Sequence, residues 1–174
     1  MRVLIAVILM SSLSMFANAD EWIQDPLPPT KQSYSEISLI SNTVQVSDTL
    51  HSLSLGAAYS HTIVGGLQLG FVGSYTNTGT GNASISALTF LVGPTINFPW
   101  RADVTDCGFL SLGAGLTYAS AGNASTTQFT FAAEVGKRVH LIGGVNYRPS
   151  FGILKISGAD LILSFTPVAF SIVF

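Results

Sequence analysis

The sequence predicts an all-β protein: eight antiparallel strands in up-and-down order, closing as a transmembrane β-barrel. Three observations carry that expectation. Apolar residues recur at every second position through most of the chain, which is the period of a strand with one apolar face. A nine-residue pattern occurs three times without gaps, as LQLGFVGSY (67–75), LSLGAGLTY (110–118) and VHLIGGVNY (139–147). Charge is scarce: Asp, Glu, Lys and Arg make up 9% of the 174 residues, against about 25% in soluble domains. Hydrophobic content, at 48%, is ordinary. Neutral polar residues have therefore replaced charge, and the environment has to account for it.

The chain opens with Arg2, an apolar stretch from Val3 to Phe16 and the exit Ala17-Asn18-Ala19. These are the parts of a secretory signal peptide with cleavage near Ala19, and the apolar middle falls short of the roughly 20 residues a spanning helix needs. No cysteine follows directly, so no lipoprotein anchor is expected. Residues 20–33, rich in proline and charge, read as an extended periplasmic segment. The barrel is expected over residues 34–174. The single cysteine, Cys107, has no partner for an internal disulfide.

Strands are expected near 34–46, 50–63, 67–76, 85–98, 108–119, 126–135, 139–148 and 159–174. In the repeats, the first, third and ninth positions are apolar or aromatic, and the even positions are mostly small or polar. Leu53, Leu55, Ala57 and Tyr59 continue the pattern, as do Leu88, Phe90, Val92, Ile96 and Phe98, then Phe129, Phe131, Ala133 and Val135. Val64-Gly65-Gly66 and Gly136-Lys137-Arg138 read as three-residue hairpin turns. Longer neutral loops are expected near 47–49, 77–84, 119–126 and 149–158, at the opposite end.

The charge deficit decides which face meets water. A soluble barrel with its apolar face inward would present an almost uncharged Ser, Thr and Gly exterior, a poor soluble surface. With the faces reversed, Leu, Phe, Val and Tyr meet lipid, and small residues fill a narrow lumen. Closing the sheet pairs every backbone group, as hydrocarbon requires. Tyr75, Tyr118 and Tyr147 each stand eight residues after the first outward residue of their segment. Eight steps cover about 26 Å along a strand, or about 20 Å vertically at a tilt of about 40°. The three tyrosines are thus expected to form an aromatic girdle at one rim, with Phe98 and Trp100 near the other.

The last residues, with Val168, Phe170, Ile172 and Phe174 alternating to the end of the chain, are similar to the carboxy-terminal assembly signal of Gram-negative outer-membrane β-barrels. With the leader and the eight alternating strands, the chain resembles the small barrels of the OmpA transmembrane domain, OmpX and OmpW kind. The resemblance implies an outer-membrane location, outer-membrane lipids and the barrel-assembly machinery as partners, and a structural or surface-interaction role without a wide pore. Through OmpW it implies an alternative, a narrow channel for small or apolar solutes, for which Gly70, Gly113, Gly115 and Gly144 would line the path. The loops are shorter and less charged than is usual among such barrels, and the ligand of the loops stays open.

Some small barrels modify lipid A, which makes a lipid A-modifying enzyme a third and less favoured reading. His51 and His61 do not match the H-x-S-N motif of the deacylases. Asp48, His51 and Ser54 fail as a triad, because residues three apart on a strand face opposite sides. No catalytic, cofactor-binding or metal residues are assigned; three histidines and one cysteine in scattered positions make no ligand set. No basic stripe suggests nucleic acid. His140 faces the lumen by parity, and a hairpin centred on Lys137 would set it opposite Glu134 as a lumenal pair. Arg148 is also expected inward.

Overall fold

The computed structural model describes residues 34–39, 43–46, 51–80, 83–99 and 104–174. The leader, the proline-rich segment, Asp48 and Trp100 lie outside the described residues. The described chain contains β1 (Ser35–Leu39), β2 (Thr43–Val46), β3 (His51–Val64), β4 (Leu67–Thr80), β5 (Ala83–Phe98), β6 (Gly108–Ala121), β7 (Ala124–Lys137), β8 (Val139–Ile142), β9 (Val145–Tyr147), β10 (Ser150–Ile156), β11 (Leu161–Thr166) and β12 (Phe170–Val173). Every pairing is antiparallel.

These segments compose eight strands. β1 and β2 both lie against β3, and β3 to β7 follow one another as neighbours. Segments β7 and β8 form one descending strand, β9 and β10 one ascending strand, and β11 and β12 the last descending strand. The ascending strand pairs with both of the others along its length. β12 then meets β1, with Glu36 opposite Val173, while Ser35 and Phe174 exchange two 2.9 Å backbone hydrogen bonds. First and last strands are neighbours, as expected.

The faces are inverted relative to a soluble protein. Phe129 is 67% exposed, whereas Thr130, the next residue, is 0% exposed. Phe71, Phe90 and Phe131 stand outward, and Gln68, Asn97 and Thr117 are buried inside. Exposed aromatics beside buried polar groups are unfavourable in water but fit a wall against lipid.

The sixth strand differs from expectation. β7 runs on through Arg138 into β8 without changing register: Gly136 faces Ser150 and Val139 faces Tyr147, with Lys137 N donating to Pro149 O at 3.2 Å between them. The turn falls instead at Gly143, in the left-handed region at φ 54°, and Gly144, where an added Cβ would meet Val173 O at 2.1 Å. Glycine is what this turn and this close approach require. Segment 139–147 is therefore a bent hairpin, and most of the expected loop at 149–158 is β10. Two further expected loops are shorter likewise: β4 and β5 are separated by residues 81–82 and β6 and β7 by 122–123, and β10 and β11 by 157–160; the expected loop at 47–49 lies outside the described residues. A longer connection, residues 99–107, lies at the opposite end.

The last strand carries a bulge. Ser150 pairs with Thr166, but Tyr147 pairs with Phe170, so one extra residue is inserted at 167–169. Pro167, which has no N–H to give to a ladder, sits there. Leu161, Leu163 and Phe165 face outward before the bulge, and Val168, Phe170, Ile172 and Phe174 are exposed from it to the end of the chain.

Candidate lumenal site

The inward residues of six strands converge near the end that carries both described termini. Arg138, 1% exposed, is the centre. Its Nε donates to Glu36 Oε1 at 2.8 Å and its Nη2 to Glu36 Oε2 at 2.6 Å. Nη2 also donates to Gln68 Oε1 at 3.2 Å, and Nη1 to Asn97 Oδ1 at 2.7 Å and Cys107 Sγ at 3.5 Å. All the N–H donors of a guanidinium are thereby used, the condition for burying one.

Arg148 lies across from Arg138 on the neighbouring strand, and like charges there would repel. Each arginine has its own carboxylate: Arg148 donates from Nη1 to Glu134 Oε1 at 3.1 Å and from Nη2 to Glu134 Oε2 at 3.0 Å. Glu36 joins the pairs, with its Oε1 4.0 Å from Arg148 Nε. Both guanidinium groups also lie over the buried ring of Phe109, at 4.6 and 4.2 Å from its centroid. Gly136 makes room for that ring, since a Cβ there would come within 2.6 Å of Phe109 Cζ.

Below this network, Tyr34, Val104, Cys107 and Val173 form a buried apolar cluster. Val104 and Cys107 stand just before β6; Arg138 N donates to Cys107 O at 2.7 Å. Above the network the lumen is hydroxylic. Thr117 Oγ1 lies 2.8 Å from Thr89 Oγ1 and 2.7 Å from Thr130 Oγ1, and Thr95 Oγ1 lies 2.7 Å from Ser111 Oγ. A cavity of about 420 Å³ opens there, with Ser60, Ser74, Ser111, Leu154 and Ile162 in its wall and Arg138 at its floor.

The expected pair of Glu134 and His140 does not form across a hairpin. Glu134 stands opposite Ser111 and Gly152 and takes Arg148 as its partner, while His140 is buried opposite Asn146. The cause is the shifted turn, which leaves both residues on one descending strand. Tyr75 and Tyr118 stand outward on either side of Leu88 in one row, with Tyr75 Oη 3.3 Å from Ser86 Oγ. Tyr147 does not join them: it follows the Gly143–Gly144 turn, at the other end, and its hydroxyl donates to Pro167 O. Phe98 is exposed at the end of β5. Ser54 takes part in a 3.3 Å contact with Thr76 Oγ1 inside the lumen; the side chain of His51 is outside the described residues.

Glu36, Arg138 and Phe109 were not singled out from the sequence. The available signal was parity: counted from Glu134, Arg138 falls on the inward set, and Glu36 is an isolated charge inside an alternating stretch.

No protein-family profile matches the chain, and no curated protein matches it by sequence. In three dimensions it is similar to the outer membrane protein Ail of Yersinia pestis, whose backbone structure was obtained in a phospholipid bilayer nanodisc. The TM-score is 0.54 and the identity 11%, over 83% of this chain and 100% of that one. At that identity the likeness is one of fold, and the chain has the fold of the eight-stranded outer-membrane β-barrels.

Proposed function

We propose that the protein is an integral outer-membrane barrel with a structural or surface-interaction role and no wide pore. One observation carries this reading: the lumen is filled at one end by a charge-balanced network of Arg138, Glu36, Arg148 and Glu134, and sealed beneath by Val104 and Cys107. Eight strands leave an interior only about wide enough for side chains, and here the side chains are bonded to one another. The final strand, with Val168, Phe170, Ile172 and Phe174, is the segment the assembly machinery would read, and outer-membrane lipids are the surrounding partner.

The hydroxylic cavity above the network favours a second reading, a narrow path for small or apolar solutes. Catalysis is not part of the proposal. A serine–histidine contact, Ser35 Oγ to His61 Nδ1 at 3.0 Å, has Tyr59 Oη 3.2 Å from the same oxygen, and among the described residues no carboxylate is bonded to the His61 ring to orient it.

The test is reconstitution of the purified barrel in planar bilayers, with heat-modifiable gel migration as the check on folding. Folded protein without steady single-channel current is the expected result. Steady current would replace this reading by the channel, and recovery of the mature chain as soluble periplasmic protein would overturn the membrane assignment itself.

A further inference from the structure

One polar cluster stands on the outward wall and takes no part in the lumenal network. Ser35, Tyr59 and His61 lie on the outward face of β1 and β3, near the end that carries both described termini. Ser35 is opposite His61, and Tyr59 is the next outward residue along β3. Both Tyr59 and His61 are exposed. Ser35 Oγ lies 3.0 Å from His61 Nδ1 and 3.2 Å from Tyr59 Oη, so the three side chains form one hydrogen-bonded chain with the serine in the middle. The other ring nitrogen, His61 Nε2, has no hydrogen bond among the described residues. Its surroundings are apolar: Leu69 and Pro94 continue the row of His61, and Ile37 and Phe71 flank Tyr59.

The depth of His61 in the membrane makes this arrangement specific. It pairs with Leu69, the outward residue that follows Leu67 on β4. Two steps along a strand climb about 5 Å after tilt, which puts the imidazole just inside the lower edge of the apolar band. A polar ring atom without a partner is costly there, because hydrocarbon supplies no hydrogen bond. What a phospholipid leaflet does supply at this level is acceptors, the carbonyl oxygens of its acyl esters. That fixes the direction of the chain. Donation from Tyr59 to Ser35 and from Ser35 to Nδ1 leaves the ring proton on Nε2, where it meets an acceptor. The reverse direction would leave Nε2 a bare acceptor at a level with no donor to fill it.

We propose that His61 is a phospholipid-binding residue, its Nε2–H donating to an acyl-ester carbonyl of a lipid in the periplasmic leaflet. The proposal rests on the membrane-embedded reading above and adds a lipid site to it. On that reading the end with both termini is periplasmic, and the leaflet on that side of an outer membrane is phospholipid. Ser35 and Tyr59 are positioning residues: they do not reach the ester, but they hold the ring in the tautomer that can donate to it. The site therefore recognises the ester linkage shared by all diacyl phospholipids and is indifferent to the headgroup.

The test uses the full barrel with ¹⁵N-labelled histidine in bilayers of diacyl phosphatidylcholine that is ¹³C-labelled at the acyl carbonyl, read by solid-state NMR. His61→Phe identifies the signal among the three histidines. The unaltered ring should carry its proton on Nε2 and not on Nδ1, with a dipolar contact from Nε2 to the labelled carbonyl. Ser35→Ala should move the proton between the two nitrogens and weaken that contact, while heat-modifiable folding stays intact. A proton held on Nδ1 in the unaltered protein, or an Nε2 in contact with the lipid phosphorus or with no lipid atom, overturns the proposal. If Ser35→Ala fails to fold, the spectrum of the unaltered protein decides alone. Failure of the chain to enter bilayers would instead overturn the membrane reading on which this one stands.

Discussion

Arg138 and Glu36 are 102 residues apart in the chain and joined inside the barrel by two hydrogen bonds, of 2.8 and 2.6 Å. They come from the strands flanking the last two, so their contact exists only once the ring has closed. Removing one partner strands a buried charge, which costs about 3–5 kcal/mol. Arg138→Met or Glu36→Leu alone should lower stability by that amount in urea titrations from lipid vesicles. The double variant should recover most of the loss, because replacing both halves of a buried pair by apolar groups is often neutral.

The partner of Glu134 can be settled energetically. A double-mutant cycle between Glu134 and Arg148 should give a coupling of about 0.5–3 kcal/mol, the range for residues in contact. The cycle between Glu134 and His140 should give coupling near zero. Reversal of those two outcomes would restore the hairpin centred on Lys137.

Phe71 is 57% exposed, midway along the apolar span of β4. If lipid covers it, Phe71→Arg should cost about 2–4 kcal/mol, the penalty for a cation at the midplane of a barrel's outer face. In a soluble protein the same change would be close to neutral, so the free energy of unfolding from vesicles discriminates directly.

Cys107 is buried at the floor of the lumen, with Val104 O 3.2 Å from its sulfur. A water-soluble maleimide should label it more slowly in the folded barrel than in urea by a factor on the order of 100 or more, since reaction requires local opening. Rapid labelling of the folded protein would mean that the floor is not closed.

Much of this molecule could be read in one dimension. The alternation of Leu67, Leu69 and Phe71 with Gln68, Gly70 and Val72 set the outward face of β4, and the same period marked most of the other strands, though Ser150–Ile156 was expected as a loop and is β10. The shortage of charge then assigned that face to lipid, because water would not accept it. Turns were harder. Gly136-Lys137-Arg138 and Gly143-Gly144 both offer glycine between apolar runs, and alternation by itself does not choose between them; the loop tips were missed because Ser, Thr and Asn extend a strand outside the membrane as readily as they form a loop.

The sequence by itself determined the strand count, the inversion of faces and the identity of the last strand, since each follows from a local period of two residues and from composition. The tertiary structure decided where the sixth strand turns, and so which charges meet. With the turn at Gly143 and Gly144, Arg138 stays inside, where it neutralises Glu36 and frees Glu134 for Arg148. That choice depends on distances around a closed ring, which no local pattern encodes.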